Sequence, residues 1–144
     1  MILIIMGSKS DSEVMAKAEE QLKEFGLKAD VVVASAHRNP DKVTKTVTSG
    51  KYDVIIAGAG KAAHLPGVIA GQTITPVIGV PIKTSDLGGM DSLLSIVQMP
   101  SGVPVATVAI NGAKNAAILA AQIVALKDET VKKALKTFKE KLKS

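Results

Sequence analysis

One arginine and two histidines stand out, because they are the only guanidinium and the only imidazoles in the chain and every other base is lysine. They fall in two short stretches, Ser35-Ala36-His37-Arg38 and Ala62-Ala63-His64-Leu65-Pro66-Gly67. Arginine offers a planar, two-pronged grip on phosphate that lysine cannot copy. Imidazole changes charge near neutrality, which makes His37 the best candidate for a general acid/base. The plainer alternative is that this histidine and arginine pair with backbone carbonyls and an acid.

A third stretch, Gly7-Ser8-Lys9-Ser10-Asp11, sits between a strand and a helix start. Free backbone N–H groups and the helix dipole favour an anion there. Gly7 permits close backbone approach, and the Ser8 and Ser10 hydroxyls can donate to phosphate oxygens. Asp11 would repel phosphate and better suits sugar hydroxyls. Capping of the following helix by Ser10 and Asp11 explains the motif equally well. The P-loop spacing Gly-x4-Gly-Lys-Ser/Thr is missing.

Gly58-Ala59-Gly60-Lys61-Ala62-Ala63 imitates a dinucleotide-binding fingerprint. That fingerprint belongs after the first strand of its unit and wants an acid at the end of the next strand, where this chain has Val80-Pro81. A tight backbone wall closing over a small planar ligand is the better reading. His64 can also be read as a helix-start cap. Two histidines on separate loops, with no cysteine, make a poor metal site. Neither Ser8 nor Ser35 has an ordered base and oxyanion hole to make it a nucleophile.

These loops need a frame. Short β-branched runs such as Val31-Val32-Val33 and Val54-Ile55-Ile56 lack alternation, as expected for strands buried on both faces of a parallel sheet. Strands are predicted at about 2–6, 29–34, 53–58, 76–80 and 104–110. Helices are predicted at about 11–25, 40–49, 65–73, 91–98, 114–126 and 129–142. Ser10-Asp11-Ser12-Glu13 reads as a capping box, with Val14, Ala18, Leu22 and Phe25 on the buried face of the first helix. Asn39-Pro40 and Pro66 mark the starts of the second and third helices. Val131, Leu135, Phe138 and Leu142 form one stripe of the last.

Such alternation implies right-handed crossovers and a three-layer α/β/α sandwich, with the flavodoxin-like order 2-1-3-4-5 and an additional C-terminal helix. In that order the loops after strands 2, 1 and 3 lie side by side beyond the carboxyl ends, where ligands bind.

At 144 residues the chain is expected to form a single α/β domain, 1–144, able to bury a core without staples. The absence of cysteine excludes disulfides and fits a reducing cytoplasm. Ile2-Leu3-Ile4-Ile5-Met6 has neither the basic flank nor the cleavage site of a signal core, and no apolar run is long enough to span a membrane. The net charge of +5 is concentrated in residues 127–144. With one Tyr, two Phe and no Trp to stack on bases, that lysine-rich helix reads as a solvated face and not as a nucleic-acid groove.

Taken together, the three loops resemble those of the class I N5-carboxyaminoimidazole ribonucleotide mutases. The likeness continues through Pro76-Val77-Ile78-Gly79-Val80-Pro81, Asp91-Ser92-Leu93-Leu94-Ser95-Ile96-Val97-Gln98-Met99-Pro100, Gly102-Val103-Pro104-Val105 and Asn115-Ala116-Ala117. The pairing of Ser-Ala-His-Arg with Ala-Ala-His-Leu-Pro-Gly points to class I, since class II enzymes, which use free CO2, differ at the second loop.

The resemblance implies a cofactor-free isomerase that moves a carboxylate from N5 to C4 of a small-molecule nucleotide in purine biosynthesis. It implies a homo-octamer with active sites shared between subunits, and no metal. Carried over by motif, Ser8, Asp11 and Arg38 hold the phosphoribosyl part, and Ser35 supports them. His37 is the acid/base, while Gly60, His64 and Leu65 line the base and CO2 pocket. Lys61 stands where many class I members have glycine. Its ammonium could reach a carboxylate, but solvent is favoured because lysine is rarely buried. The rival readings are a nucleotide-sensing module and, among enzymes, a carboxylase using CO2 directly.

Overall fold

The structure is a computed structural model and describes residues 1–144. Five parallel strands, β1 (Ile2–Met6), β2 (Ala29–Val33), β3 (Val54–Gly60), β4 (Val77–Ile82) and β5 (Ala106–Thr107), form one sheet in the order β2-β1-β3-β4-β5. Six helices connect or follow them: α1 (Ser12–Glu24), α2 (Pro40–Val47), α3 (Leu65–Ala70), α4 (Met90–Val97), α5 (Ala113–Val124) and α6 (Glu129–Lys141). This is the predicted flavodoxin-like arrangement.

Both faces of the sheet are covered, which is why the central strands carry uninterrupted apolar runs. Ile2, Ile4, Met6, Ile56, Ile78 and Val80 pack under α1 and α5, against Met15, Ala18, Leu22, Ala117 and Ala120. Leu3, Ile5, Ile55 and Ala57 point the other way, toward Val43 of α2, Ile69 of α3 and Ile96 of α4.

Register sets the site. Met6 pairs with both Val33 and Gly58, so β1 and β2 end level. β3 continues two residues farther, with Gly60 opposite Ile82 of β4. The loops after β1 and β2 therefore open beside the projecting end of β3.

Several expectations are corrected. β2 is the edge strand that the predicted order makes it, but Val31, in a run expected to be buried on both faces, is 48% exposed, because only β1 flanks the strand. β5 shrinks from the predicted 104–110 to two residues, since only Ala106 and Thr107 have ladder partners on β4. The first helix starts with a 3-10 turn at Lys9–Asp11, capped by Ser8 with Asp11 completing the capping box, and not by Ser10. Met15, not Val14, is the fully buried residue of the first turns of α1.

Asn39 does cap α2, its Oδ1 accepting from the Lys42 N–H at 3.3 Å. α6 lies on helices and not on the sheet: Val131 and Leu135 bury against Ala121 and Phe25, and Phe138 meets Phe25 edge-on at 5.3 Å. Leu142, expected on the same stripe, is 62% exposed.

Close helix–sheet packing depends on Gly79. A Cβ there would lie 2.4 Å from Cγ2 of Ile96 and 3.0 Å from Cγ1 of Val105. Both neighbours are β-branched and stiff. Gly79→Ala is expected to lower the unfolding free energy by about 1–3 kcal/mol. An unchanged denaturant midpoint would show that α4 moves aside freely.

Candidate active site

A cavity of about 400 Å³ opens at the carboxyl ends of β1, β2 and β3. Every site residue expected from the sequence lines it: Ser8 and Asp11 after β1, Ser35, His37 and Arg38 after β2, and Gly60, His64 and Leu65 at the end of β3 and the start of α3.

The loop after β1 serves its own backbone and the cavity together. The Ser8 N–H donates to Asp11 Oδ2 at 3.0 Å, and the Ser10 hydroxyl donates to Ser8 Oγ at 3.0 Å. Of the capping alternative only the Asp11 half is realised, with Ser8 in place of Ser10 as the cap, and the same groups still line the cavity. Asp11 is 7% exposed. Burial pushes its carboxyl above the usual carboxylate range, while the Ser8 N–H and the nearby Arg38 guanidinium pull it back.

After β2, Ser35 Oγ accepts from the Arg38 backbone N–H at 3.2 Å and from Arg38 Nε at 3.4 Å. Arg38 Nη2 donates to the Gly7 carbonyl at 3.4 Å. Ser35 thus holds the guanidinium over the end of β1. That leaves further N–H donors of its five for a ligand. The simple alternative of backbone pairing holds for part of this side chain only.

His37 Nε2 lies 2.8 Å from His64 Nδ1, the rings meeting edge-on with centroids 4.9 Å apart. One hydrogen must occupy that contact, since two N–H groups or two lone pairs facing each other would repel. The contact joins two loops whose histidines are 27 residues apart in the chain. His64 occupies the N-cap position of α3, yet its side chain makes no capping bond.

The glycines of the false fingerprint serve packing. Gly58 and Gly60 lie within β3 itself. A Cβ on Gly58 would meet Met15 Sδ at 2.3 Å, and one on Gly60 would meet Thr84 Cγ2 at 2.9 Å. Thr84 also lines the cavity, and the sequence reading missed it. Its Oγ1 is buried and makes no hydrogen bond. The available signal was the strand order, which sets the loop after β4 beside the loop after β3. Lys61 is exposed to solvent, as favoured from the sequence, and its ammonium also pairs with exposed Asp86 at 2.7 Å.

Asp11→Asn gives a test of how the site is balanced. Burial disfavours the carboxylate, so the fold holds the proton more tightly than the unfolded chain does, and the charged form lowers stability at neutral pH. The neutral Asn variant should melt no lower than the parent at pH 7. Any margin should vanish as pH falls through the raised pKa and the parent becomes neutral too. A variant that melts well below the parent at pH 7 would show that the carboxylate is needed for folding.

No three His, Cys, Asp or Glu side chains cluster as metal ligands would, and no helix is long and apolar enough to cross a membrane.

The family model described as AIR carboxylase matches residues 1–144. An N5-carboxyaminoimidazole ribonucleotide mutase of Thermotoga maritima is 57% identical over 143 residues, covering 97% of this chain and 84% of the relative. A protein of the same description from Methanocaldococcus jannaschii is also 57% identical, covering 99% and 90%. Among solved structures, Treponema denticola PurE superposes with a TM-score of 0.88 at 30% identity, covering 97% of this chain and 89% of that one.

Proposed function

This chain belongs to the AIR carboxylase family, and we propose that, as a mutase of purine biosynthesis, it converts N5-carboxyaminoimidazole ribonucleotide to 4-carboxy-5-aminoimidazole ribonucleotide. Relatives of that description share more than half its residues over nearly its whole length.

The phosphoribosyl part is held by Ser8, Asp11 and Arg38, with Ser35 fixing the arginine. The base and the transferred carboxyl group lie against Gly60, His64 and Leu65. The N5–carboxyl bond breaks and its electron pair stays on nitrogen, which takes one proton from His37. The electron-rich ring then attacks the released CO2 through C4. His37 finally removes the C4 proton, so one proton is lent and one returned, and the atoms balance without an added reagent.

Trapping CO2 beside C4 replaces a dilute encounter, a gain of up to roughly 7–11 kcal/mol in favourable systems. The observation that best supports this reading is the 2.8 Å His37–His64 contact in a cavity that also holds the chain's single arginine. His64 keeps the shared hydrogen available while His37 alternates between acid and base.

The proposal extends to a cytoplasmic homo-octamer. Its support is apolar surface without a partner: Met90, Leu94 and Val97 follow one stripe of α4 and are each about half exposed, beside exposed Leu87.

The deciding experiment compares two reactions. With the N5-carboxylated nucleotide and bicarbonate removed, product should form at full rate. Product formed only from aminoimidazole ribonucleotide plus bicarbonate would make the protein a carboxylase instead. A nucleotide sensor would bind without turning over either.

A further inference from the structure

Lys61 has two features that its neighbours on the loop lack. Its backbone is left-handed, with φ at 53°. That region disfavours a residue with a Cβ, and such outliers gather at functional positions. Its ammonium bridges to Asp86 of the β4–α4 loop at 2.7 Å, which draws that loop toward the end of β3. It also lines the cavity, between Gly60 and His64.

The wall around it holds unmet polar capacity. Thr84 Oγ1, in the cavity lining, is buried without a hydrogen-bond partner. Asp86 and Asp91 both hold the Lys61 amine in its charged form, Asp86 by direct contact and Asp91 from farther off.

Charge is split across the sheet. Arg38 follows β2 and leans over β1, while Lys61 follows β3 and leans toward β4. Neighbouring strands lie about 4.8 Å apart, so the β2 and β4 loops are roughly 14 Å apart. The cavity therefore carries one cation on each flank, an arrangement suited to a ligand with an anion at each end.

We propose that Lys61 is a second, cationic anchor for anions, releasing Asp86 to grip the carboxylate of the carboxylated nucleotide while Arg38 holds the phosphate. This rests on the function proposed above and adds a residue to it. The exchange is easy, because the Lys61 and Asp86 side chains are 66% and 59% exposed and an ion pair so screened by water contributes little.

Lys61→Gly is the cleanest probe, since glycine takes φ of 53° without strain and the variant should fold at least as well. Binding of 4-carboxy-5-aminoimidazole ribonucleotide and of aminoimidazole ribonucleotide, which lacks the carboxylate, would be measured by calorimetry. The variant should bind the carboxylated nucleotide about tenfold more weakly and the other within about twofold of the parent. Asp86→Asn, which frees the ammonium, should bind the carboxylated nucleotide at least as tightly as the parent.

Equal losses for both nucleotides, or no loss for either, would overturn the inference. A parent protein that turns over while Lys61→Gly binds normally removes only the anchor. A parent that neither binds nor converts the nucleotides removes the proposed function along with it.

Discussion

Replacing His37 by Asn should cut turnover by about 10²–10⁴-fold while leaving nucleotide affinity close to that of the parent. The imidazole is asked to give a proton to N5 and then take one from C4, and an amide does neither at neutral pH. The lost range is that typical of a positioned acid/base. Binding should survive because the proposed phosphate and ribose contacts come from other side chains of the cavity, Arg38, Ser8 and Asp11. Asn is too short to replace the distal Nε2, so the contact with His64 is lost together with the acid/base group.

Single-turnover rates with calorimetric affinities would check both halves. Near-normal turnover would take His37 out of the chemistry. A large loss of affinity would make it a binding group instead.

Arg38→Lys should weaken nucleotide binding by roughly 10- to 100-fold and alter the chemical step far less. The charge is conserved, so a pure field effect would survive the change. The fork does not: Nε lies 3.4 Å from Ser35 Oγ and Nη2 lies 3.4 Å from the Gly7 carbonyl. These contacts aim the remaining N–H groups at one spot. Lysine is a flexible point charge and cannot be braced by both partners.

Measuring KM and kcat separately distinguishes the roles. Unchanged affinity would show that phosphate binds elsewhere. Equal loss in kcat and kcat/KM would show that the arginine acts only in the transition state.

How much of this was legible without coordinates depended on whether the signal was local. Asn39-Pro40 starts a helix by a bond within one turn, and the apolar run of β1 reports burial on two faces, so both were readable from neighbours in the chain. The right-handed crossover rule then limits how such units can be laid side by side, and the strand order followed. From that order, gathering of the three loops into one cavity was foreseeable. The fate of Val31 was harder to see, because an edge strand and a central strand carry the same β-branched run when one face is covered.

Residue type and position along the chain determined the alternating architecture, the cluster of scarce arginine and histidine at the strand ends, and the family likeness. Tertiary structure alone decided the pairing of His37 with His64, the ion pair of Lys61 with Asp86, the buried hydroxyl of Thr84 in the wall and the shortening of β5. The reason is one of range. Periodicity and capping act over a few residues, whereas each of these features joins groups on different strands or loops. Their separation is set by register and by how tightly helices press on the sheet, to within a fraction of an ångström.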